Sequence, residues 1–178
     1  MSSNKGKDGE LQVLILVANI GIVRDGVDVT RPTTTNTADQ GADLFITHLP
    51  GFLNEFAEVS GSDFPSTQSS SPITKGAGSE KSRVDVKTTD DKLQKDTVEK
   101  FIEDCHNHPN CKGHILMGGL NLTGPAKREF QAAQNRFSSS GKILLYVKND
   151  GVQKLEAHYR SQIEVGGKKD TEPPDSAG

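Results

Sequence analysis

The chain opens on a polar lead, MSSNKGKDG, and turns apolar only at Leu11. From there LQVLILVANIGIV runs to Val23 almost without a polar side chain. Its Val and Ile content suits a strand. Periodicity does not separate strand from helix in so apolar a run; its length and the glycine at 21 favour a buried helix. Val27 to Thr30 alternates and predicts a short strand, which runs into the turn-forming RPTTTNTADQG. Ala42 to Thr47, ADLFIT, predicts a second strand. Arg83 to Thr88, RVDVKT, predicts a third, with Val84 and Val86 on one face and Asp85 and Lys87 on the other. Val98, Phe101, Ile102 and Cys105 recur at helical spacing, so an amphipathic helix is expected from near Asp91 to Cys105. Ile115 to Met117 is a short apolar strand closed by Gly118 and Gly119. Thr123 ahead of Gly124-Pro125 is a helix start with a hydroxyl cap, and Phe130, Ala133 and Phe137 mark the core face of that helix up to Gly141. ILLYV at 143–147 reads as a buried strand, and Asp150 can cap a last helix carrying Val152, Leu155 and Tyr159.

Helix, three strands, helix, strand, helix, strand, helix is the order of an α/β layer sandwich: a central mixed sheet flanked by helices. The alternation in its second half implies parallel neighbours joined by right-handed crossovers. With 178 residues the chain suits one domain. That domain is expected over 10–163, with a disordered lead at 1–9, a Ser/Gly-rich surface loop at 60–82 and a disordered tail at 164–178.

Charge narrows the function. The balance of 21 basic and 24 acidic residues gives −3, which argues against coating nucleic acid through bulk charge but allows a local basic groove. No apolar run is long enough to cross a membrane, and the polar start lacks a signal-peptide core. Two cysteines make no disulfide framework, so a cytoplasmic setting is expected.

Two acidic features stand out: Asp39-Gln40-Gly41-Ala42-Asp43 entering the second strand, and Asp85-Val86-Lys87 inside the third. Adjacent strands can bring Asp43 and Asp85 together at one sheet edge. A pair of carboxylates there suits Mg²⁺, with Mn²⁺ as a substitute, because such hard ions take oxygen ligands and keep several waters. The ion would polarise a phosphodiester and acidify a bound water. Lys87, on the same side as Asp85, would orient that water and stabilise charge on the phosphate.

From Glu10 to about Tyr159 the chain resembles the Mrr-type restriction endonucleases, within the PD-(D/E)xK nuclease superfamily. The resemblance rests on the order of Glu10, Asp39-x-Gly41-x-Asp43, Asp85-x-Lys87, HILMGG and Thr123-Gly124-Pro125-Ala126. It implies a restriction-endonuclease-like three-layer sandwich. It also implies a metal-dependent endonuclease of the restriction type that hydrolyses phosphodiester bonds of double-stranded DNA, commonly as a homodimer. Carried over by position, Asp43 and Asp85 would be metal ligands and Lys87 the catalytic lysine. Glu10 would be the helix carboxylate holding a metal-bound water. The chain departs from the family pattern at three points. Asp85 stands where Glu or Gln is commoner, the interval from Asp43 to Asp85 is long, and Gly9 stands where an aromatic often precedes the helix Glu.

Thr123, with the amides of the helix start, and the nearby Lys127 and Arg128 are candidate phosphate contacts. Lys92, Lys95 and Lys100 add positive charge to the preceding helix. The same residues have plainer uses: Asp43 in a turn, Asp85 and Lys87 on a wet strand face, Glu10 in a helix first turn. A non-catalytic DNA- or protein-binding module with the nuclease fold is therefore the rival reading. A zinc-binding interaction domain is a weaker one, resting on Cys105, His106, His108, Cys111 and His114, whose spacing matches no strong zinc pattern.

Overall fold

A computed structural model describes residues 5–31, 44–65, 72–76 and 78–171. Its elements are α1 (Lys5–Val23), β1 (Asp28–Thr30), β2 (Leu44–His48), α2 (Phe52–Ser60), β3 (Glu80–Lys87), α3 (Lys95–His106), β4 (Gly113–Gly118), α4 (Gly124–Ser139), β5 (Ile143–Val147) and α5 (Asn149–Thr171). The strands make one five-stranded mixed sheet in the order β1-β2-β3-β4-β5. β2 runs antiparallel to β1 and β3. β3, β4 and β5 are mutually parallel, as the alternating second half of the sequence implied.

Helices pack on both faces, and the period of two along the strands sorts their side chains between two cores. Val84, Ile115, Met117, Ile143, Leu145 and Val147 face α1, α2 and α5. Leu116 and Leu144 face α3 and α4. β3, β4 and β5 are covered on both sides, which is why their apolar stretches are nearly continuous. The Thr123 hydroxyl accepts from the Ala126 amide at 3.3 Å and Pro125 occupies the first turn, so α4 begins as its sequence dictates.

The ends of the chain differ from expectation. The lead at 1–9 is helical from Lys5 onwards, with Asp8 in the first turn of α1 where the helix dipole favours it. The expected tail at 164–178 is helical to Thr171, because α5 packs against the sheet and propagates outward from that anchored part. The expected loop at 60–82 gives up Ser60 to α2 and its last three residues to β3. β3 starts early because β2 pairs along it from Leu44↔Val84 to His48↔Glu80.

α2 has no counterpart in the expected order. Its Phe52, Leu53, Phe56 and Ala57 recur at i, i+1, i+4 and i+5 and are all buried. Gly51 and Gly61, with φ of 91° and 72°, take the left-handed conformation at its two ends. Phe56 is fully buried with its ring centroid 5.8 Å from that of Phe52. Phe56→Ala should therefore cost about 3–5 kcal/mol of stability. Equilibrium urea unfolding checks this, and a midpoint close to the parent's would show that α2 is not part of the core.

Candidate functional site

The alternation predicted for β3 holds, but its polar face is not wet. Arg83, Asp85 and Lys87 project toward α3, and the first two are buried, at 0% and 5% exposure. A buried guanidinium demands acceptors, and Arg83 has them. Its Nε donates to His114 Nδ1 at 2.9 Å. Its Nη2 donates to the Phe101 carbonyl at 2.8 Å and to Cys105 Sγ at 3.2 Å. The guanidinium also lies 4.6 Å from the centre of the Phe101 ring.

Asp85 sits next along this face. Burial raises the pKa of its carboxyl, while Lys87 and Arg83 pull it down and Asp104 adds to the rise. Its Oδ1 lies 3.3 Å from Lys87 Nζ. Asp104, also buried, has its own partner in Lys100 at 3.6 Å. Arg83, Asp85 and Asp104 are thus buried between β3 and α3, with Lys87 and Lys100 at the solvent edge.

Lys87 ends β3 and emerges at the rim of the sheet. On one side it lines a cleft of about 560 Å³ with Gln12, Thr88, Asp90, Asp91 and Asn149. On the other it lines a second cleft of about 460 Å³ with Thr89, Asp96, Thr97 and Lys100. Both open at the carboxyl ends of parallel strands, where open α/β sheets characteristically bind ligands. Two glycines shape this rim. Gly118, at φ 120°, pairs with Lys87, and a Cβ there would collide with the Lys87 carbonyl oxygen. Gly9 lies so close to Thr88 that a Cβ would collide with the Thr88 hydroxyl. α1 therefore passes the end of β3 so closely that a side chain at position 9 would have to displace the Thr88 hydroxyl.

The expected site residues separate as follows. Asp85 and Lys87 are together. Asp43, with Asp39 and Gly41, lies outside the described residues. Glu10 does not line the cleft; its Oε2 accepts from Arg31 Nη2 at 2.9 Å beyond the end of β1, while Gly9, Gln12 and Val13 from the same helix do line it. Thr123 is occupied in capping α4. Lys127 lines a separate pocket, and Arg128 is exposed on α4. Among the described residues no three His, Cys, Asp or Glu side chains are grouped to hold a metal. Asp85 alone supplies one carboxylate of the expected pair, so the described residues by themselves do not complete an Mg²⁺ site. The polar residues Gln12, Asp90, Asp91 and Asn149 were not expected at the site; the run Thr88-Thr89-Asp90-Asp91 directly after Lys87 was the available signal.

In the Cys-His cluster, Cys105 and His114 are both engaged by Arg83. Cys105 and Cys111 are free, buried thiols. Burial lifts the Cys105 thiol to about 11, against the opposing pull of Arg83. His114 accepts from Arg83, which fixes the tautomer with its proton on Nε2. No helix among the described residues is long and apolar enough to cross a membrane. No family model, curated protein or solved structure matches the chain.

Burial, with Arg83 next in effect, lowers the pKa of His114 to about 3, and burial lowers that of His48. An unfolded histidine titrates at about 6.5. Between that pH and about 3 the unfolded chain binds a proton that folded His114 does not, so stability falls as pH drops through this window. Asp85, with its raised pKa, acts in the opposite sense, since the folded state then takes up its proton first. His114→Asn keeps an acceptor for Arg83 and removes the titration. The melting temperature of the variant should fall less steeply than the parent's between pH 7 and 5; parallel slopes would contradict the assignment.

Proposed function

We propose that the chain is a metal-dependent endonuclease of restriction type, hydrolysing phosphodiester bonds of double-stranded DNA on a restriction-endonuclease-like fold. The observation that carries this reading is the ion pair at the end of β3. The Lys87 ammonium is held 3.3 Å from the Asp85 carboxylate, on the lip of a polar cleft at the carboxyl ends of the parallel strands. An ammonium there can bind a phosphate oxygen, orient a water for in-line attack and stabilise charge that builds up on phosphorus.

The proposed ion is Mg²⁺, with Mn²⁺ able to replace it, held by Asp43 and Asp85. When bound, it supplies charge neutralisation at the phosphate and acidifies water. Asp43 is the chain neighbour of Leu44, and Leu44 pairs with Val84, the chain neighbour of Asp85. The buried Asp85 carboxyl, with its raised pKa and Asp104 nearby, gains from an added cation. Thr123, Lys127 and Arg128 keep their proposed role as phosphate contacts around the start of α4, and Glu10 would reach the site only by leaving Arg31. The homodimer and the cytoplasmic setting belong to the same proposal; a reducing compartment suits two free cysteines.

A second reading is favoured by a specific observation: Asp85 is buried against Lys87 and does not itself line the cleft. A binding module that keeps the fold without the chemistry would look the same at this position. Lys87→Ala separates the two. A supercoiled-plasmid nicking assay with Mg²⁺ or Mn²⁺ should lose activity by about 10²–10³-fold in the variant. DNA binding, read by anisotropy, should stay within a few-fold. Cleavage unchanged by the substitution, or absent from the parent with either ion, would remove the nuclease reading.

A further inference from the structure

A pocket of about 270 Å³ lies between the end of α2, the face of α4 and the carboxyl end of β5. It is separate from the clefts beside Lys87 but adjoins the larger of them. Tyr146 lines the pocket, and its hydroxyl donates to the carbonyl of Gly118, a residue of the cleft wall, at 2.8 Å. Lys148 lines the pocket and the next residue, Asn149, lines the cleft.

Gln134 is built into this pocket. It is 7% exposed. Its Nε2 donates to the Asp63 carbonyl at 3.0 Å and to the Leu144 carbonyl at 2.9 Å. Both amide protons are thereby committed, which fixes the amide with its oxygen as the remaining acceptor. That oxygen accepts from no described residue, and no side-chain polar atom among the described residues is fully buried without a partner. It is therefore not fully buried, and Gln134 is one of the residues that line the pocket. The wall beside it carries the half-buried ring of Tyr146, which meets the buried Phe130 edge to face with centroids 6.2 Å apart. The rim carries two amines, Lys127 and Lys148, and the carboxylate of Asp63.

An aromatic wall, a fixed acceptor at the bottom and two cations at the mouth match one ligand chemistry. A flat heterocycle stacks on the wall and gives an N–H to the acceptor, while its phosphate reaches the amines. The volume is below the roughly 300 Å³ at which drug-sized pockets begin, so it admits one nucleotide and not a base pair. We propose that this pocket binds a single unpaired nucleotide, base against Tyr146 and phosphate between Lys127 and Lys148. The inference rests on the nuclease reading for its biological sense: the nucleotide belongs to the strand that passes Lys87. The duplex of that reading would then carry one base turned out of its pair and into this pocket.

The test needs no metal and no cleavage. Metal-free protein labelled with ¹⁵N is titrated with each of the four deoxynucleoside monophosphates and, separately, with inorganic phosphate. The nucleotides should shift the Gln134 side-chain amide and the Tyr146 and Lys148 backbone amides saturably. Inorganic phosphate should leave the Gln134 signal in place. Lys148→Ala should weaken nucleotide binding about tenfold, the loss of one charge-assisted hydrogen bond. Gln134→Met removes the acceptor but also the bonds to Asp63 in the 61–65 segment and to Leu144 on β5, so Lys148→Ala is the principal variant. The pocket is refuted if phosphate alone reproduces every shift, or if no nucleotide gives a saturable shift at Gln134 up to about 10 mM, beyond the millimolar range of weak ligands. Plasmid cleavage without those shifts would remove this inference and leave the nuclease reading. The shifts without cleavage would do the reverse.

Discussion

A guanidinium with no access to water lies under α3, and much of the molecule is arranged around it. Arg83 is wholly buried, and taking a charge out of water costs several kcal/mol unless partners replace the lost hydration. Its partners come from three directions: the Phe101 carbonyl and the Cys105 sulfur on α3, the imidazole of His114 on β4, and the field of Asp85 on its own strand. Satisfying the charge therefore ties α3 to β3 and β3 to β4 in one register. A slip of β3 by one residue would turn Arg83 into the apolar core of α1, α2 and α5, with no acceptors there to meet it. The same register fixes where Lys87 leaves the sheet. The position of the candidate site is a by-product of burying a different cation four residues earlier.

Much of this was legible from local pattern. β5 and the capped start of α4 need only neighbours in sequence, and both stand where their residues put them. The five strands were all visible as apolar or alternating runs. α2 was overlooked because its nine residues follow a Pro-Gly turn and lead into a serine-rich stretch, although its two pairs of apolar residues have helical spacing. The chain ends were misjudged because composition describes an isolated segment, whereas α1 and α5 extend outward from parts that are packed.

The site was legible as a motif and not as an environment. Asp85 and Lys87 share a face because a strand has a period of two. That this face is buried depends on α3 settling over it, with Asp104 brought alongside from a residue far along the chain. Glu10 was drawn to Arg31 by a contact that no spacing rule contains. His114 stood in a run that resembled metal ligands, yet it serves as the acceptor for a buried arginine. Gly9 looked like a missing aromatic, whereas in the fold a side chain there would meet the Thr88 hydroxyl.

Lys87 belongs to the lining of two clefts that lie on opposite sides of the same strand end. Its flexible four-carbon stem lets one ammonium serve either compartment. An anion arriving on the α1 side draws that charge toward itself and away from Asp85. The carboxylate is then left with Arg83 as its nearby cation and Asp104 as a repelling neighbour, so its hold on a proton tightens. Anion capture and proton uptake are thereby linked, each favouring the other to the same degree, across a wall one strand thick.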